Sequence, residues 1–259
     1  MNEFKLFNWP GWMIFGLLLL VWELGAHWNP GLQPYLPPVS GILLALWRLI
    51  ISAQIAPHVM ITISRFLQAY LLAAAIAIIV GTVLGYSRFA YSLLETVIEF
   101  LRPMPSVAII PVAVLLLGIG DSMIVGVTVY ASLWPILINT IDGVRHIDRT
   151  LVDTGRTFGL SSRRILGQVI LPAAAPYIVT GMRISLSIAL ILVTTAEMVA
   201  GSQGLGFFIL DQERSMNAAN VYAGIIVVAL MGYLLNRGFL LCEGRILKWR
   251  RGMLAREAV

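Results

Sequence analysis

Residues 66–87 read FLQAYLLAAAIAIIVGTVLGYS, 22 consecutive positions without a formal charge. A helix crossing about 30 Å of hydrocarbon needs roughly 20 predominantly apolar residues. This run meets that length and predicts a membrane span, with working limits of 58–87. The same test applied outward finds Leu6–Trp22, Pro103–Gly120, Ser122–Ile141 and Ser215–Asn236. Ile184–Ala196 is shorter, but it extends back past Arg183 to Pro176 and forward past Glu197. Six spans are therefore expected, at 9–27, 58–87, 94–119, 122–142, 176–200 and 217–240. The expected fold class is an all-α integral membrane protein.

Composition agrees. Of 259 residues, 59% are hydrophobic and only 12% charged, about half the charged share of a soluble domain. Mean hydropathy is +0.87. A soluble fold of this size could not hide that apolar surface, and disorder is excluded by the same numbers. One cysteine, Cys242, excludes an internal disulfide framework. His27, His58 and His146 lack metal-ligand spacing, so neither a metal site nor a bound cofactor is expected. Net charge of +5 reads as basic membrane-flanking loops rather than a nucleic-acid surface.

Pro30, Pro34, Pro37 and Pro38 make the segment after the first span an extended surface stretch. Val39–Ser52 is expected as a short interfacial helix. Gln168, Pro172 and Pro176 make Ile165–Met182 read as a loop entering the fifth span. One transmembrane unit is expected over 1–259: a first span within 1–30, the Pro-rich segment and interfacial helix in 31–57, core spans in 58–240, and a basic tail in 241–259. The apolar run at the N-terminus lacks a small-x-small cleavage site, so it reads as a retained span rather than a signal peptide.

Orientation follows from charge. With the N-terminus inside, 14 of the 18 basic residues fall on the cytoplasmic side and two, Arg48 and Arg214, on the other. Both termini are therefore expected in the cytoplasm.

The connection from Gly143 to Pro172 is too long for a plain linker and carries five arginines. Leu151, Thr154, Phe158, Ile165 and Val169 recur near helical spacing. Gly159 suits a turn, Ser161 an N-cap, and Pro172 a stop. This predicts a cytoplasmic helix–turn–helix between the fourth and fifth spans. Two readings stay open on those residues alone: a docking surface for another protein, or an amphipathic connector on lipid headgroups.

Further candidates are intramembrane groups. Glu197 reads either as a lining or gating residue or as an interfacial carboxylate partnered by a backbone amide near Gly201. Arg65 reads as snorkelling to an interface or pairing with a carboxylate inside a dimer. Pro103 and Pro105, flanking Met104, together with Pro111, are expected to kink the third span near a gate. Gly81 and Gly85 form a small-xxx-small pattern expected to pack helices closely.

The loop also carries a resemblance. Asp153-Thr154-Gly155, three residues, Gly159, nine residues, then Val169-Ile170-Leu171-Pro172 resembles the signature of ATP-binding-cassette importer permeases. That signature runs Glu-Ala-Ala, three residues, Gly, nine residues, Ile, one residue, Leu-Pro. Thr154 and Gly155 depart from its alanine pair. Arg102–Ser106, Gly118–Asp121, Thr180–Arg183, Ala196–Met198, Gly204–Phe207 and Leu36–Val39 resemble the nitrate, sulfonate and taurine subfamily. The resemblance implies a permease without its own catalysis. It implies ATP and Mg on two partner ATP-binding subunits, a second permease subunit as the default homodimer, and a periplasmic or lipid-anchored substrate-binding protein. It implies a bacterial inner-membrane location and a small polar, anionic cargo. It places Asp153, Thr154, Gly155, Arg156, Phe158, Gly159, Leu171 and Pro172 in the element that seats on the ATPase. The competing readings are an ATPase-independent secondary transporter and an intramembrane enzyme. For the latter there is no His-Glu-x-x-His and no phosphate-binding Gly-rich loop.

Overall fold

The structure is a computed structural model and describes residues 9–248. Lys5 and the tail arginines Arg250, Arg251 and Arg256 lie outside the described residues. Helices follow one another in the order α1 (Trp9–Trp28), α2 (Val39–Ile51), α3 (Ala56–Tyr86), α4 (Arg88–Leu101), α5 (Ile110–Leu117), α6 (Asp121–Arg145), α7 (Arg149–Thr157), α8 (Ser162–Ile165), α9 (Leu171–Ala200), α10 (Leu205–Arg214) and α11 (Ala218–Ile246). No strand occurs among the described residues. Five helices are long and apolar enough to cross a membrane, six if α4 and the Ser106–Leu117 segment count as one broken span.

The core is built from α3, α6 and α9. Hydrophobicity alone does not bring helices together in lipid; close backbone approach does. A Cβ on Gly81 would lie 2.7 Å from the Thr140 Cβ, and one on Gly85 would lie 2.6 Å from the Val144 Cβ. The Gly81/Gly85 pattern therefore seats α3 on α6. Gly181 does the same for α9, where a Cβ would meet the Pro135 carbonyl oxygen at 2.7 Å. By contrast α1 is exposed along nearly its whole apolar length, as a helix that faces lipid would be, and α11 is half-buried, with only Ala223, Gly224 and Met231 buried.

Three expectations need correction. The third span is not one kinked helix over 94–119: α4 and the Ser106–Leu117 segment meet at 90°. Pro103 and Pro105 withhold two N–H donors in succession, so the helix stops rather than bends. The Tyr130 hydroxyl takes over as donor to the Leu101 carbonyl at 2.7 Å. Pro111 sits in the first turn of α5, where a missing donor costs nothing.

Residues 165–182 are not a loop. Ser162–Ala200 forms a continuous 39-residue helix, with a π-turn over Leu166–Ile170 immediately before Pro172. A π-turn absorbs a missing rung without ending the helix, so Pro172 is not a stop. Ser161 occupies the N-cap position of α8 but its side chain makes no capping bond.

Candidate functional site

The first candidate is the turn built by α7 and α8. Asp148, not foreseen from the sequence, is its cap: the carboxylate accepts the Thr150 N–H at 2.9 Å, which holds the Asp148 carboxyl below the usual aspartate range. Gly155 is buried, and a Cβ there would lie 3.5 Å from Ile165 and 3.6 Å from Leu160. That contact seats α7 against α8. The Leu160 N–H closes the turn by donating to the Gly155 carbonyl at 3.1 Å. Gly159 has φ +73° with open space where a Cβ would be, so its backbone, not its surroundings, requires glycine.

The expected apolar stripe divides into two. Val152, Gly155, Leu160, Ile165 and Val169 turn inward. Leu151 and Phe158 face out, at 51% and 81% exposure. Beside them the Arg156 guanidinium pairs with the Asp153 carboxylate at 3.2 Å, both exposed, and Thr154 returns its hydroxyl to the Thr150 carbonyl at 2.7 Å. Leu171 and Pro172 are not part of this outer face. They lie past the π-turn, at the start of α9.

The second candidate lies at the other end of α9. Glu197 is completely buried. Its carboxylate accepts the Thr62 hydroxyl at 2.9–3.0 Å, an Arg65 Nη1–H at 2.9 Å and the Gly206 N–H at 3.0 Å. Thr62 in turn accepts the Leu205 N–H at 2.8 Å. Arg65, 5% exposed, also donates to the Gln203 carbonyl at 2.7 Å and through Nε to Asp121 at 3.0 Å. The loop before α10 must wrap tightly to reach this carboxylate. Gly204 has φ +108°, and a Cβ there would fall 2.3 Å from the Glu197 carboxylate. At Gly206 it would fall 2.0 Å from the Thr194 carbonyl oxygen.

Arg65 therefore does not snorkel; it pairs with a buried carboxylate. Glu197 is enclosed by protein rather than lining an open passage, and its amide partner is Gly206, not one near Gly201. Pro103, Met104 and Pro105 are exposed at the α4–α5 break and are not brought to this cluster. Asp121, Gly204 and Gly206, which the sequence offered only inside stretches resembling the subfamily, belong to the cluster, and Thr62, not singled out from sequence, joins them. Thr62 and Arg65 stand three apart on one helix face, the spacing that could have exposed them. Among the described residues no group of three or more His, Cys, Asp or Glu side chains is placed to hold a metal.

Residues 73–247 match the family model described as the binding-protein-dependent transport system inner membrane component. The chain belongs to that family. A putative ABC transporter permease protein of Methanocaldococcus jannaschii is 34% identical over 92% of this chain and 90% of its own length. A putative aliphatic sulfonates transport permease protein of Bacillus subtilis is 30% identical over 95% and 90%. Among solved structures, an inward-facing methionine ABC transporter chain superposes with a TM-score of 0.65, covering 76% of this chain and 97% of that one at 19% identity, a likeness of fold.

The permease is thus a multi-pass membrane component of an ABC transport system. Such a system couples transport to an ATPase and a binding protein, which removes the ATPase-independent secondary transporter from consideration. The matched region begins inside α3 and ends at α11. The peripheral α1 and α2 lie outside it, as do Thr62 and Arg65, whereas their partners Asp121 and Glu197 lie within. Of the two candidates, the α7 turn is the one whose singled-out side chains are mostly exposed, whereas Glu197, Thr62 and Arg65 are buried.

Proposed function

We propose that this permease forms half of the translocation pathway of a small-anion importer and takes its drive from a separate ATPase through α7. The single observation that carries the reading is the two-faced α7 turn. Its inner face is clamped by Gly155 against α8, and its outer face offers Leu151, Asp153, Arg156 and Phe158 to solvent. A short helix held this way passes on a displacement that a floppy loop would absorb. Gly159 aims it, and the continuous Ser162–Ala200 helix receives the push beyond Leu171 and Pro172.

On this reading α7 and both termini face the cytoplasm, as the basic-residue bias requires. A second copy of the permease completes the pathway, two ATP-binding subunits seat on the paired α7 turns, and cargo arrives on a binding protein. Nucleotide and Mg stay with the ATPase. The cargo class, a small sulfonate, taurine or nitrate-like anion, rests on the names of relatives.

The test is a pair of substitutions in the assembled transporter. Phe158→Ala removes the most exposed apolar anchor. An anchor of this type contributes 2 kcal/mol or more when covered, so ATPase retention should weaken about thirtyfold. Gly159→Asp should abolish uptake in vesicles while the chain stays in the membrane, since the side chain meets no neighbour and only the turn is strained. Undiminished uptake and ATPase retention in both variants would overturn the proposal.

A further inference from the structure

A cavity of about 520 Å³ opens beside the α7 turn, between the ends of α3, α4 and α6. Three arginines from three elements enter it: Arg88 opens α4, Arg145 closes α6 and Arg149 opens α7. Among the described residues no carboxylate lies within ion-pair distance of any of them. Of the nearest acids by sequence, Asp148 caps α7, and Asp142 lines the neighbouring cavity with Glu99 and Arg102. The Arg145 guanidinium lies 3.5 Å from the centre of the Tyr91 ring, which fixes its position without neutralising it. The remaining walls combine Tyr86 and Tyr91 with an apolar side made by Val144, Ile147, Val152 and Ile170.

We propose that this cavity binds the phosphodiester headgroup of an anionic membrane lipid. Three unneutralised guanidiniums converging on one cavity suit a phosphate, which arginine grips through two parallel N–H bonds. The apolar wall selects the source. A free inorganic anion gains nothing from Val144, Val152 and Ile170, whereas the glycerol and upper acyl chain of a lipid cover them. The cavity lies at the ends of three helices, where headgroups meet spans, and basic pockets between membrane helices are recognised sites for such lipids. It touches both the inner face of α7, through Val152, and the core helices, so an occupant would brace the turn from behind.

The inference goes beyond the coupling role of α7 and does not depend on it. The test is native mass spectrometry of the full transporter, delipidated and titrated with phosphatidylglycerol or phosphatidylcholine. ATPase retention is read in the same sample, so loss of lipid binding and loss of coupling appear separately. Phosphatidylglycerol should bind one site per permease chain in preference to phosphatidylcholine. Each lost arginine should weaken binding about fivefold: Arg145→Gln by that factor, and the triple Arg88→Gln, Arg145→Gln, Arg149→Gln variant by roughly a hundredfold. An unchanged elution volume and unchanged phosphatidylcholine binding show that the triple variant is folded. Equal binding of the two lipids, or phosphatidylglycerol binding unaffected in the triple variant, overturns the proposal. So does displacement of phosphatidylglycerol by millimolar inorganic phosphate, which would make the site one for a free anion. So does protection of the three arginines that requires the ATPase, which would make the cavity part of the subunit interface.

Discussion

Replacing Glu197 tests the polar cluster at the C-terminal end of α9. In Glu197→Leu, Arg65 keeps Asp121 and the Gln203 carbonyl but loses its buried counter-charge. Breaking one side of a buried pair costs about 3–5 kcal/mol, because the surviving charge remains buried. Glu197→Gln is milder but not silent. Oε1 accepts from Arg65 and Oε2 from the Gly206 N–H, so the new amide nitrogen must face one of these donors whichever way it is placed. An unsatisfied buried donor plus the lost charge costs about 3 kcal/mol. By the slope for chains of this size, about 2–4 °C per kcal/mol, the melting temperature in detergent should fall roughly 6–12 °C. The decisive measurement is a cycle. Arg65→Met combined with Glu197→Leu removes both charges and leaves Asp121, whose side chain is three-quarters exposed, to solvent. The double variant should therefore be at least about 2 kcal/mol more stable than Glu197→Leu alone. Unfolding followed by gel filtration after heating reads all four proteins. Strict additivity of the two single costs would refute the reasoning, since it would mean the two side chains stabilise the fold independently.

Gly155→Ala should be tolerated and raise the stability of α7 by up to about 1 kcal/mol: the added methyl meets Ile165 and Leu160 at ordinary contact distance, and uptake should persist. Gly204→Ala should behave oppositely, with misassembly or loss of the folded chain on gel filtration, because its Cβ falls on the Glu197 carboxylate. The Asp148 cap stabilises α7 only while ionised. Its pKa is lowered on folding, so that contribution is whole above the unfolded value near 3.8 and is lost as pH falls through the lowered folded value. Amide exchange at Thr150 should accordingly be independent of this group from pH 5 to 8 and accelerate in Asp148→Ala throughout that range. Spin labels at exposed Gln68 on α3 and Ser202 beyond α9 should keep their separation on ATP binding, because the cluster ties the two helices at that end. A shift of several ångström would show that the tie opens.

How much could be read from the sequence depended on the range of the interaction. Span positions follow from composition over 20 residues: α3 and α6 fall within a few residues of the limits expected from charge-free runs, whereas the helix ending at Ala200 begins well before 176 and α11 runs past 240 to Ile246. Gly81 and Gly85 were readable because helix packing repeats every four residues. The two proline readings failed because consequences of a missing N–H depend on neighbours. At Pro103 and Pro105 two losses in succession end the helix, and Tyr130, distant in sequence, satisfies the freed carbonyl. At Pro172 a π-turn lets the helix run through. The Glu197 cluster was least accessible of all: Thr62, Arg65, Asp121, Glu197 and Gly206 come from four parts of the chain, and neither the charges nor the stretches resembling the subfamily showed that they meet. Along α7, period alone could not separate the buried Gly155 face from the exposed Leu151 and Phe158 face.

The two candidate sites are ends of one rod. Ser162–Ala200 is continuous over 39 residues, about 58 Å at helical rise. The α7 turn is clamped at its first residues and the Glu197 cluster at its last. A rod cannot absorb a displacement between its ends without kinking, and its weak points, the π-turn and Pro176, lie close to the α7 end. Beyond them the shaft is seated on α6 through Gly181 and tied to α3 and α6 through Thr62, Arg65 and Asp121. A push on α7 therefore either flexes the rod near Leu166–Ile170 or turns α3, α6 and α9 together. The buried ion pair favours the second course: separating α9 from α3 at the Glu197 end would strand Arg65 and Glu197 at the cost estimated above for losing one of them. On the reading proposed for α7, the cluster is the joint that would make three helices answer as a single body to what happens there.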